Sequence, residues 1–273
     1  MNEMMSAEAV ERKTRGANAA MENIPGTVER LHVPKKRTNI SGCLQLLSTD
    51  HLVLGLFDYF VKNDISAIKN HLFVACRLKL AAMAMDDYQR FETGGELLFA
   101  LLSDSPEVIK DMAAFEGQHF RSARNNPLYP QFRGHMWQLA IRGEFAELEK
   151  KIEHLAKNGR KQDRQAAARK EDFFSLLIDG DKQRLTDLIT AHAGQKRNEP
   201  ITEDYLSFFA TLEAKICWYH GIEVDIQNEG VPMVLMPVRP LENYEQPYDF
   251  LEPGWQPPVT GWKGKLTQWF GRG

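Results

Sequence analysis

WQLAIRGEFAELEKKI, residues 137–152, reads as two helices joined by a tight turn. Trp137 sits on an apolar run, Gly143 breaks it six positions later, and Leu148 and Ile152 then fall one helical turn apart. Glycine adopts the left-handed backbone that ends one helix and lets the next start at once. The same offsets recur in FSLLIDGDKQRLTDLI (174–189), through Phe174, Gly180, Leu185 and Ile189. They recur again in residues 57–72, through Phe57, Asn63, Ile68 and Leu72. A fourth start, Phe99, has Ser105 at the breaker position and displaced apolar positions after it. The starts 57, 99, 137 and 174 lie 42, 38 and 37 residues apart. A helical hairpin of this length cannot bury its apolar face alone, so successive units must stack. The expected fold is all-α: stacked helical hairpins in an α-solenoid-like bundle.

Outward from the hairpins the chain changes texture twice. Residues 1–38 carry few large apolar side chains, with Pro25, Gly26 and the basic run Lys35, Lys36, Arg37. They read as a flexible N-terminal tail with one short helix around residues 7–21. Residues 39–220 form the helical-hairpin domain, with its longest periodic helix over 65–91 and polar connections at 158–170 and 199–201. Ser105 and Pro106 look like the cap and first turn of a helix. Past Gly221 the alternation Ile222, Val224, Ile226 against Glu223, Asp225 leaves room for one short β element. Seven prolines between Pro232 and Pro258 then keep residues 221–273 as an extended arm over the helices.

The 273 residues are 43% hydrophobic and 26% charged, with a net charge of −3, which excludes a disordered or collagenous chain and any strong global field toward nucleic acid. Cys43, Cys76 and Cys217 are widely spaced and form no CxxC pair, so reduced thiols are expected rather than disulfides or zinc. No secretory h-region is visible, and the apolar stretches 52–60 and 78–85 read as far too short to span a membrane. A cytoplasmic protein is expected.

Chemistry is hard to find. The eight histidines, His32, His51, His71, His119, His135, His154, His192 and His220, make no metal-ligand spacing. Asp86-Asp87 and Glu171-Asp172 point apart on a helix and suit helix surfaces and N-termini. There is no phosphate-binding glycine loop and no nucleophile elbow. The sequence reads as a non-enzyme without metal or cofactor. Lys157–Lys170 holds six cations against Asp163 but lacks the aromatics for base stacking. The acidic counterpart is more telling. Residues 223–252 hold seven acids against Arg239 alone, with Tyr244, Tyr248 and Phe250 interspersed. Aromatics supply contact area and acids steer a basic partner. Glu223, Asp225, Glu229, Glu242, Tyr244, Glu245 and Tyr248 are therefore the candidate partner-binding residues. A second reading is that the arm only staples the helices together.

Five segments carry a family resemblance: ACRLKLAAMAMDDYQRF (75–91), ELLFALLSDSPEVIKDMA (96–113), FFSLLIDGDKQRL (173–185), LEAKICWYHGIEVDI (212–226) and VPMVLMPVRPLENYEQPYDFL (231–251). Together they resemble the immunity protein 49 family over residues 40–255. The resemblance implies a largely helical bacterial protein that binds and neutralises a cognate toxin, of a polymorphic or type VI secretion system, in the producer's own cytoplasm. It implies no particular contact residue. Two other classes stay open: a helical-repeat adaptor for another bacterial complex, and a helical enzyme assembled from scattered residues such as His135, Asp181 and His220.

Overall fold

The computed structural model describes residues 7–35, 38–85, 95–195, 201–202 and 204–256. Among them are twelve α-helices, two 3-10 turns and no strand; the fold is all-α. The chain divides into two compact units, one built from residues 3–89 and 242–273, the other from 90–241.

The first unit holds α1 (Ala7–His32), α2 (Ile40–Phe60) and α3 (Ile65–Met85), with a 3-10 turn at Asp249–Leu251. Here the N-terminal residues depart from the expected tail. Residues 7–32 are a continuous helix packed on α2. The seam is made of small side chains: Ala17 and Ala20 are buried against Leu54 and Phe57, with Ile24, Val53 and Val61 around them. Alanine lets two helices approach closely, so few bulky residues are needed for a packed face. Pro25 lies inside α1 and removes one backbone donor, and the helix runs through it. α2 is also longer than the reading of short apolar stretches allowed, and it has the length and apolarity of a membrane span. Its polar residues Ser48, Asp50, His51 and Asp58 are nevertheless buried inside the unit, as in a core helix.

The second unit holds α4 (Gly95–Ser103), α5 (Pro106–Ala114), α6 (Gln118–Ala123), α7 (Pro130–Arg142), α8 (Phe145–Asn158), α9 (Lys161–Ala168), α10 (Phe173–Asp179), α11 (Lys182–Ala193) and α12 (Phe208–Tyr219). Three hairpins, α4–α5, α7–α8 and α10–α11, follow one another, with α5 against α7 and α8 against α10. α12 then packs against α4, α7 and α11, and is buried from Ala210 to Cys217. The stack therefore closes around a central helix. The polar connection expected at 158–170 contains α9, a helix that buries only Ala167.

All four hairpins turn through one residue in the left-handed region: Asn63 (φ 59°), Asp104 (φ 57°), Gly143 (φ 69°) and Gly180 (φ 66°). In the fourth copy the turn residue is Asp104, one place before Ser105, which accounts for the displaced positions after it. Trp137 and Phe174 occupy matching places on α7 and α10, both 2% exposed, with ring centroids 4.4 Å apart. The apolar positions after the turns, Ile68, Leu72, Leu148, Ile152, Leu185 and Ile189, are all buried. The expected helix over 65–91 is described as far as Met85; Asp86-Asp87 and the remainder lie outside the described residues.

Candidate partner-binding surface

The segment after α12 begins at a glycine. Gly221, at φ 75°, donates its N–H to Trp218, and Ile222 donates to Cys217 at 2.8 Å, closing the helix in a Schellman motif. The chain then runs back along α12 without a partner strand. Ile222 and Ile226 accept from Val224 and Asn228, two residues on, at 2.9 and 3.0 Å. These local bonds replace the ladder a β element would need, so the segment is extended but not a strand.

Its side chains alternate as anchors and display. Val224 and Ile226 are buried, whereas Glu223, Asp225, Gln227 and Glu229 are exposed. The Trp218 indole donates to the Val224 carbonyl at 2.9 Å, and at the far end Gly230 accepts from the Ser207 N–H at 2.7 Å and the Thr211 hydroxyl at 3.2 Å. Both ends are thus tied to α12. Glu223 and Asp225 project from the same side of extended backbone, about 7 Å apart along the chain. Val234 and Val238 beyond them are 64% and 40% exposed. Acids followed by exposed apolar residues on a pinned backbone make a surface suited to protein contact.

A buried ion pair holds the next stretch. Lys215 Nζ, fully enclosed, donates to Asp104 Oδ1 at 2.7 Å and to the carbonyls of Leu235 (2.7 Å), Met236 (3.1 Å) and Pro237 (3.4 Å). Asp104 Oδ2 accepts from the Arg239 N–H at 3.1 Å. Every charge here has partners, the condition under which a desolvated pair is tolerated. The sequence signal is slight: a lysine in a largely apolar helix that also holds Glu213, and an acid between two serines.

The other expected residues fall elsewhere. Glu242, Tyr244, Glu245 and Tyr248 belong to the first unit, not to the one carrying Glu223, Asp225 and Glu229, so the arm 221–273 is not a single element. Glu242 and Glu245 are exposed; Glu245 donates its N–H to Asn70 Oδ1 at 2.7 Å. Tyr244 is half-buried, its ring 4.8 Å from that of Phe73. Tyr248 is a correction: it is buried, stacked 4.8 Å from Phe250, with its hydroxyl 2.7 Å from His51 Nε2. A ring so enclosed holds the chain down and offers nothing to a partner.

Of His135, Asp181 and His220, the last two have separate structural roles. His220 Nε2 donates to the Ala140 carbonyl at 2.7 Å, and Asp181 caps α11 through the Arg184 N–H. His135 lies edge-on to Phe120, and burial, then Lys151, Arg124 and Arg142, push its pKa down to about 3. Cys43, Cys76 and Cys217 form no disulfide. Burial pushes the Cys217 thiol up, so it is a poor nucleophile. Among the described residues no group of three His, Cys, Asp or Glu side chains is placed to hold a metal ion. Comparison with known proteins matches no family model, no curated protein and no solved structure.

Proposed function

We propose that the protein is an immunity protein, binding a cognate antibacterial toxin in the cytoplasm of the cell that makes it and blocking the toxin's action. The observation that carries this reading is the pinned acidic segment 223–229. Its backbone is already ordered, so little conformational freedom is lost on binding, and its carboxylates face solvent. A toxin that acts on nucleic acid has a basic cleft, and an acidic ridge that enters it speeds association and excludes substrate together. Inhibition of this kind needs contact area and a few well-packed anchors, not chemistry. The family resemblance supports the same reading.

Co-expression with the toxin domain encoded by the neighbouring gene tests it. Cells should survive with the intact chain. The triple substitution Glu223→Lys, Asp225→Lys, Glu229→Lys should slow association at low salt by tenfold or more, an effect that shrinks as salt screens the charges. Undiminished survival and an unchanged rate in the triple variant would move the interface off this segment. No protection by the intact chain would remove the immunity reading itself.

A further inference from the structure

In the first unit, a chain of hydrogen bonds links three stretches of sequence far apart in number. His51 on α2 lies with its Nδ1 2.9 Å from Nδ1 of His71 on α3. The other nitrogen of His51, Nε2, is 2.7 Å from the Tyr248 hydroxyl on the C-terminal segment. His71 Nε2 is 3.3 Å from Asp58 Oδ2, and Lys62 Nζ is 2.7 Å from Asp58 Oδ1. His51 is 6% exposed, whereas the His71 side chain is 24% exposed and open to protons from solvent.

The chemistry of the ends sets the proton positions. An ionised Asp58 only accepts, so His71 must donate from Nε2 and leave Nδ1 bare. His51 then donates from Nδ1 into that bare nitrogen, and its own bare Nε2 accepts from Tyr248. One arrangement satisfies every group with both rings neutral, and the two histidines are in opposite tautomers. A proton added to His71 Nδ1 places N–H against N–H. His51 can answer only by moving its proton to Nε2, and the Tyr248 hydroxyl must then turn from donor to acceptor, leaving its own proton without this partner. A second proton leaves both Nδ1 atoms as donors and makes the two rings repel.

We propose that this relay is a proton-operated latch: with both rings neutral it holds the C-terminal segment around Tyr248 on the α2–α3 hairpin, and protonation of the histidine pair releases it. The direction agrees with the surroundings of the rings. Burial and then the charge of His71 push the His51 pKa down to about 3, and burial lowers that of His71. In the open form each ring returns toward the ordinary value near 6.5, so opening takes up protons. A histidine held low when closed favours the closed form fully above about pH 6.5 and progressively less as pH falls toward 3.

The neighbours on each element bear on this balance. Asp58 on α2 and Asp64 in the turn raise the His71 pKa, while Lys62 opposes them. Arg77 on α3 donates to the Leu251 carbonyl, a tie that does not titrate in this range. One group works against release: Asp50 on α2, whose pKa burial pushes up to about 6, sheds a buried charge on acidification. His32 on α1, 2.9 Å from Asp249, holds that carboxyl below its usual range, a tie between two largely exposed side chains. Both groups remain in every variant below, so a difference in slope isolates the histidine pair.

Hydrogen exchange on the full chain, corrected for intrinsic rates, reads the latch between pH 7.5 and 4.5. Protection of peptides covering 244–251 should fall by about tenfold per pH unit for each proton taken up on opening, while peptides within α3 around Val74 stay protected. His71→Gln should flatten that slope by one proton. Nitrogen-resolved NMR of the imidazoles at pH 7.5 gives a second reading without substitution: His51 protonated at Nδ1 and His71 at Nε2. Identical tautomers in the two rings, a slope unaltered by His71→Gln, or loss of protection shared equally by α3 would each overturn the latch.

Discussion

Lys215 and Asp104 show how a single pair of charges can fix a long stretch of chain. Both side chains are wholly enclosed, and the lysine gathers three backbone carbonyls besides the carboxylate. Lys215→Met leaves the buried Asp104 carboxylate without its counter-charge and takes the shared donor from those carbonyls. It should cost about 3–5 kcal/mol in urea unfolding, the usual penalty for breaking a buried pair from one side. Asp104→Asn is the matching change, because asparagine tolerates the left-handed backbone that Asp104 adopts at φ 57°. The double variant should lose less than the two single losses added together, since neither charge is then stranded. Strict additivity would mean that the two side chains are not coupled.

Among the elements, the hairpin turns carry the most direct test of the repeat. Gly180 ends α10 at φ 66°, and a methyl group added there would meet nothing within 4 Å. Gly180→Ala therefore isolates the backbone cost of a left-handed residue, and should lower stability by about 1–2 kcal/mol in thermal or urea unfolding. Asn63, in the matching place at φ 59°, already bears that strain in milder form. Asn63→Gly should consequently be neutral or slightly stabilising. If Gly180→Ala leaves stability unchanged, the turn does not depend on the conformation that makes the hairpins alike.

At the scale of the molecule, the two units are assembled differently from the chain. Residues 90–241 are contiguous and contain three hairpins closed by α12, whereas the other unit needs residues from both ends of the sequence. A fragment of residues 90–241 should fold alone, giving a helical circular-dichroism spectrum and one cooperative urea transition. A fragment of residues 1–89 lacks the segment around Tyr248 and Phe250 and should unfold at lower denaturant than the same helices in the full chain. Failure of the 90–241 fragment to fold would mean that its core depends on the rest of the protein.

What the sequence determined by itself is local. Periodic apolar positions and the turn residues Asn63, Gly143 and Gly180 set the helices and hairpins, because helical periodicity and left-handed turns are short-range properties of neighbouring residues. The alternation of Ile222, Val224 and Ile226 with Glu223 and Asp225 left room for a β element; the segment is extended, with Val224 and Ile226 buried and Glu223 and Asp225 exposed, but has no partner strand. The tertiary structure decided the rest. Whether Ala17 and Ala20 make a seam depends on the face of α2 opposite them, and alanine looks the same in a tail and at an interface. Lys215 reads as a surface residue until Asp104, 111 positions away, meets it. Tyr248 read as a partner-facing aromatic until its hydroxyl was found beside His51, 197 positions away. Hydrogen bonds at such separations leave no pattern in nearby residues, because only the packing of distant segments brings the donor to its acceptor.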